Sequence, residues 1–209
     1  RYEVVTKVNV AEKTAQASVW IPVPIATLDN YQHTLDVTFT APGAKSAKLV
    51  TLPGTDVRMV VVQFADANAP QSVEVVSRIA TQDRAVDLGA DGHARKVPAA
   101  LLRPYLQATS LAPLDGIVKQ TADKIQADAG HPKDTIAKAR AIYEWIVENA
   151  KRNPATAGCG TGDVSYTLTS GNLSGKCADL NGLFTALARA TRIPARDVYG
   201  VRVEDSARG

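Results

Sequence analysis

Residues 170–196 read SGNLSGKCADLNGLFTALARATRIPAR, with Gly and Ser ahead of Cys177 and a helical pattern behind it. Leu180, Leu183, Phe184 and Leu187 recur at i, i+3, i+4 and i+7, the spacing of a buried helix face. Ser174 is the expected N-cap, which puts Cys177 in the first turn. The first-turn N–H groups lack intrahelical partners, and the dipole there favours negative charge. A thiol at such a place is biased toward thiolate, the attacking form. The helix is expected to stop near Thr191 and Arg192, because Pro194 cannot extend it. Residues 196–203, Arg-Asp-Val-Tyr-Gly-Val-Arg-Val, alternate like a strand.

Outward from this helix, the preceding segment is also expected to be helical. A short helix is expected over 98–107, around Leu101, Leu102, Tyr105 and Leu106. Pro113 at a first helical position opens a second helix, carrying Leu114, Ile117, Val118, Thr121 and Ile125 and ending at Gly130. A third begins near Lys133 and Asp134, with Ile136, Ala139, Ile142, Tyr143, Ile146 and Val147 on its apolar stripe and Trp145 off that stripe or at its border. Residues 85–97 lack periodicity and read as a linker. Residues 1–84 read as strands: Tyr2, Val4, Thr6, Val8 and Val10 share one parity. A second run, 17–23, meets Pro22 and Pro24, which make it an edge strand or a strand end. Further strands are expected over 34–40, 47–51, 57–64 and 72–79, separated by Pro-Gly and Asn-Ala-Pro turns. Short strands at this spacing suggest a sandwich.

The 170–196 pattern resembles the transglutaminase-like superfamily, a papain-like group of cysteine enzymes. The matching residues are Gly175-x-Cys177-x-Asp179, Leu183-Phe184-x-Ala186-Leu187-x-Arg189-Ala190, Ile193-Pro194-Ala195-Arg196 and Gly200. The Ile142-Tyr-Glu-Trp-Ile146 run resembles the helix that precedes the Cys loop in that family. Trp20-Ile21-Pro22-x-Pro24 resembles the region ahead of the catalytic domain in bacterial members. The resemblance implies an α+β protein: a β-sandwich-like domain over 1–84, a linker over 85–97, and the helical half of a transglutaminase/papain-like domain over 98–209. It maps the nucleophile onto Cys177. It also implies a His and an Asp downstream, on strands, and neither appears before Gly209. His33, His93 and His131 all precede the Cys and are assigned no role. The chain is therefore expected to be a fragment of a cysteine enzyme, with a non-catalytic binding relative as the alternative.

The chemistry implied is acyl transfer or amide hydrolysis through a thioester on a peptide or protein substrate. The Cys177 N–H would be one oxyanion donor, with Tyr166, Asn172 and Gly175 as further oxyanion or cleft candidates. Asp179 reads as support for the helix start. Gly158, Cys159, Gly160, Gly162 and Asp163 form a Gly-rich loop expected to wall the cleft beside Cys177. It is not a phosphate loop. Gly171 to Gly175-Lys176-Cys177 is one residue short of GxxxxGK[ST] and ends in Cys. A Cys159–Cys177 disulfide would block the nucleophile and act as an off-state. Zinc ligand spacing is absent, and the chemistry needs no metal or organic cofactor.

Composition bounds the partners. The 209 residues carry 24 basic and 21 acidic side chains, interleaved, for a net charge of +3. No basic run suggests nucleic acid. Apolar residues make up 45% of the chain, enough for a core without a disulfide framework. No apolar run reaches the roughly 18 residues of a membrane span. The chain starts at Arg1 rather than Met, as after signal-peptide removal or in a trimmed piece. The family resemblance favours a periplasmic or secreted bacterial protein, with a cytoplasmic one as the alternative.

Overall fold

The computed structural model describes residues 1–28, 31–85 and 97–201. Strands come first and helices after, an α+β architecture. The chain divides into two compact units, one built on Arg1–Asp87 and one on Leu88–Tyr199. Most of the expected linker, with His93, lies outside the described residues.

The first unit holds seven strands: β1 Tyr2–Asn9, β2 Ser18–Val23, β3 Thr27–Leu28, β4 Gln32–Thr40, β5 Ala44–Thr51, β6 Arg58–Phe64 and β7 Ser72–Thr81. They form two antiparallel sheets, ordered β1-β7-β4-β3 and β2-β6-β5. Ile21 and Val23 of β2, Val60, Val62 and Phe64 of β6, and Val73 and Val75 of β7 share one core. Side chains from both sheets therefore meet in the middle, as in a sandwich. Tyr2, Val4, Thr6 and Val8 take the inner parity of β1. Pro22 lies on edge strand β2, where a missing N–H costs no ladder bond. Trp20, on the opposite parity to Ile21, is 56% exposed.

The second unit holds α1 Ala99–Leu102, a 3-10 turn Arg103–Leu106, α2 Gly116–Asp128, α3 Thr135–Asn149, β8 Lys151–Arg152, α4 Val164–Thr169, β9 Ser174–Gly175 and α5 Cys177–Ala190. Helix α5 is central. Nine of its fourteen residues are buried, and Leu183 and Leu187 are fully so. Each such side chain contributes roughly 2 kcal/mol by leaving water. They pack with Val118, Ala122 and Ile125 of α2, Ile142 of α3 and Val164 of α4. Leu180 and Phe184 are only partly buried, so the inner surface of α5 is wider than one stripe and is rotated toward Ala186 and Ala188.

Several boundaries differ from expectation. Helix α2 begins at Gly116, not Pro113, because Asp115 is the extended N-cap residue. Helix α3 starts as expected, with the Asp134 carboxylate accepting from the Ala137 N–H at 2.7 Å. Its inner face is turned, however: Trp145 and Ile146 flank the core, while Tyr143 and Val147 are each 60% exposed.

The end of α5 is a Schellman turn with a non-glycine in the left-handed position. Arg192 has φ +68°, its N–H reaches the Arg189 carbonyl, and the Ile193 N–H reaches that of Ala188, each at 2.9 Å. The buried Arg189 then fixes the outgoing chain, donating to Ala195 O at 2.8 Å and Gln107 O at 3.0 Å. The Ala195 N–H donates to Tyr105 O, and the Arg196 guanidinium lies 5.5 Å from the Tyr105 ring centre. The strand expected from Arg196 is not formed over the described residues 196–201. An alternating sequence makes a strand only when a neighbour pairs with its backbone, and among the described residues none does. Val198, Tyr199 and Val201 are 61–76% exposed.

Candidate active site

The site is assembled where three backbone segments converge on the start of α5. Strands β8 and β9 pair in parallel, with Lys151 opposite Ser174 and Arg152 opposite Gly175. The Lys151 N–H donates to Leu173 O and the Asn153 N–H to Gly175 O, both at 2.8 Å. This short ladder explains why Ser174 is not the N-cap: its backbone is committed to the extended pair. The chain turns into the helix at Lys176, which is the observed N-cap residue. Asp179, at N3, accepts from the Lys176 N–H at 2.9 Å. Lysine has no side-chain acceptor to return, so the capping box is one-sided.

Cys177 is the first residue of α5 and is exposed, as is Cys159; both thiols are free. The Cys177 carbonyl accepts from the Asn181 amide at 2.8 Å. Its N–H has no partner among the described residues. The neighbouring Ala178 N–H is taken by the Cys159 carbonyl at 2.9 Å. The Gly-rich loop therefore lies against the helix start by its main chain. Gly158, Gly160 and Gly162 have φ of +55°, +93° and +69°. Asp163 ends the loop as N-cap of α4, accepting from the Tyr166 N–H at 2.9 Å.

Asp179 ties loop to helix. One carboxylate oxygen accepts from both Thr161 N–H and Gly162 N–H at 3.0 Å, and the other takes Lys176. The residue is buried. Burial pushes its carboxyl up, but the N–H groups of Gly162, Lys176 and Thr161 and the Thr161 hydroxyl outweigh that and hold it below the usual value. For a depressed carboxylate the stabilisation is present above the unfolded value, about 3.9, and is lost as pH falls through the folded one. The midpoint of thermal unfolding, followed from pH 5 down to pH 2, is expected to fall more steeply for the native chain than for Asp179→Asn. Parallel curves would remove this carboxylate from the acid response.

Tyr166 and Asn172 are exposed, while Gly175 is buried in the β8–β9 pair. Tyr166 and Asn172 line a polar cleft of about 360 Å3 with Asn153, Thr161, Ser174 and Asp179. Cys177 and Cys159 are not among its lining residues. Tyr199 was missed by sequence reading. Its phenol is pushed up, first by partial desolvation and then by charge on Asp197, Cys159 and Asp179, a small effect on a residue that is 73% exposed. Asp197 is itself held by the Thr185 hydroxyl at 3.1 Å, which brings this outgoing segment back toward the loop. An alternating strand pattern gives no sign of that return. Of the histidines, His33 lies on β4 in the first unit, with its Nδ1 3.5 Å from the Thr27 hydroxyl. His131 sits between α2 and α3 with φ +54°. Among the described residues no group of three or more His, Cys, Asp or Glu could hold a metal, and no helix is long and apolar enough to cross a membrane.

Residues 119–208 match the family model of the transglutaminase-like superfamily. Over these residues the chain is similar to that superfamily. An uncharacterized protein of Haemophilus influenzae is 46% identical over 102 residues, which is 49% of this chain and 27% of that protein. The chain thus spans about a quarter of that relative's length. Among solved structures, a "putative cysteine protease" from Cytophaga hutchinsonii superposes with a TM-score of 0.58 at 16% identity, covering 92% of this chain and 62% of that one. At that identity the likeness concerns fold alone. The strands-then-helices order, with α5 central in the second unit, is consistent with a transglutaminase-like fold.

Proposed function

We propose that this chain is the cysteine-bearing part of a transglutaminase-like enzyme that carries out thiol-dependent acyl transfer or amide hydrolysis on a peptide or protein. One observation carries the reading: Cys177 is exposed at the first position of a mostly buried helix, and its N–H has no partner among the described residues. The sulfur attacks an amide carbonyl and the carbonyl oxygen gains negative charge. The Cys177 N–H supplies one donor to that oxygen, and Tyr166 or Asn172 a second. Collapse expels the amine with a proton and leaves a thioester. Water or another amine then attacks the thioester carbon, the C–S bond breaks, and the thiol is restored. The base is a His that follows the Cys in family order, not His33 or His131. In this reading the chain is a fragment, and the protein is bacterial and exported to the periplasm or beyond.

Iodoacetamide labelling with peptide mapping tests the nucleophile, and the second thiol is a built-in reference because both are exposed. Cys177 is expected to react roughly tenfold faster than Cys159 at neutral pH, the behaviour of a thiol beside unpartnered N–H groups. Equal rates at the two positions would sink the proposal.

A further inference from the structure

We propose that Asp179 is a positioning residue: its carboxylate clamps the 158–162 loop to the start of α5 and thereby sets where the Cys177 sulfur stands. The consequence for Cys177 rests on the acyl-transfer reading above; the clamp itself rests on geometry. An acid in a first helical turn is welcome wherever it points, and it is usually solvated there. Asp179 is instead buried, and its two oxygens accept three main-chain N–H groups from two separate segments. The loop contributes Thr161 and Gly162, and the helix start contributes Lys176. Cys177 is the next residue after Lys176, and Ala178 is bonded to Cys159 of the same loop. The residues on both sides of Cys177 are therefore held to the loop, one through Asp179 and one directly.

The fit is as telling as the bonds. A methyl group built on Gly160 or on Gly175 would overlap the Asp179 side chain. The carboxylate is packed against two glycines, and there is no slack for a longer acid. This separates two roles that a simple deletion would confuse. If Asp179 only places negative charge near a helix start, glutamate serves as well. If it is a clamp, glutamate fails although the charge is kept. Asparagine keeps the shape, but its NH2 must take the place of one oxygen and so faces either the Lys176 N–H or the two loop N–H groups.

The test compares the native 209-residue chain with D179E and D179N, reading amide exchange of Thr161, Gly162 and Lys176 by NMR and alkylation of Cys177 by mass mapping. The clamp predicts exchange at least tenfold faster at both loop amides in D179E, and at either Lys176 or both loop amides in D179N. D179E, with its charge intact, is expected to slow Cys177 alkylation at least fivefold. D179E matching the native chain in exchange and alkylation would leave only a charge effect and overturn the proposal. Faster exchange with unchanged Cys177 alkylation would overturn its positioning half. Should D179E not fold, the near-isosteric D179N decides by exchange: native rates at Thr161, Gly162 and Lys176 together overturn the clamp. A native Cys177 no more reactive than Cys159 would end the nucleophile reading, while the exchange arm still reports on the clamp.

Discussion

Cys177→Ser is expected to lower thiol-dependent acyl transfer by roughly a thousandfold or more while leaving the fold essentially unchanged. The two halves of this expectation have separate origins. The side chain is exposed and makes no hydrogen bond of its own among the described residues; only its carbonyl is used, by Asn181. A one-atom change at such a surface position costs within about 0.5 kcal/mol. The chemistry is far less tolerant. A serine hydroxyl holds its proton much more tightly than a thiol, so at neutral pH almost no alkoxide is available at the same helix start. Acyl-adduct formation with an activated ester, read by intact mass, reports the nucleophilic step directly. Cys159→Ser is the matched control. Cys159 contributes its main-chain carbonyl to Ala178, and that survives the substitution, so its rate should stay within about twofold. A Cys177→Ser variant reacting within tenfold of the native chain would exclude Cys177 as the nucleophile.

The parts of the fold that the sequence made legible are those fixed by burial alone. Leu183 and Leu187 fall on the helical period and are fully buried, and Val60, Val62, Val73 and Val75 fall on the strand period and are buried in the sandwich. Prediction failed where a partner elsewhere in the chain decides. Ser174 has good N-cap chemistry, yet a two-residue ladder with Lys151 claims its backbone. Tyr143 and Val147 satisfy the helical period of α3 better than Trp145 does, yet they are exposed. Which face turns inward depends on where α2 and α5 stand, and that is tertiary information. Residues 196–201 alternate correctly but lack a pairing neighbour among the described residues. At the site, the place of Cys177 was legible from the glycines before it and the apolar period after it. The second task of Asp179 was not, since nothing local states that the loop near Gly160 folds back across about 20 residues of chain to meet it.

Within that loop, three glycines separate two physical costs, and Gly160→Ala is expected to be the most damaging of the single substitutions. Gly158 has φ +55° with nothing within 4 Å of an added methyl group, so alanine there pays only for a left-handed backbone, about 1 kcal/mol. Gly175 has no such φ, but its methyl would overlap the Asp179 carboxylate and side-chain carbon. Gly160 has both faults: φ +93° and direct overlap with the carboxylate. Relief requires Asp179 to move, and moving it strands the N–H groups of Thr161, Gly162 and Lys176. A hydrogen bond to a charged acceptor contributes about 1.5–3 kcal/mol, and the three bonds share one carboxylate and do not simply add. We expect Gly160→Ala to cost about 3–4 kcal/mol, Gly175→Ala somewhat less, and Gly158→Ala about 1 kcal/mol, measured by denaturant unfolding of the second unit through Trp145 fluorescence. The order matters more than the values. Gly158→Ala and Gly160→Ala costing the same would mean that only backbone strain operates, and that the carboxylate yields freely.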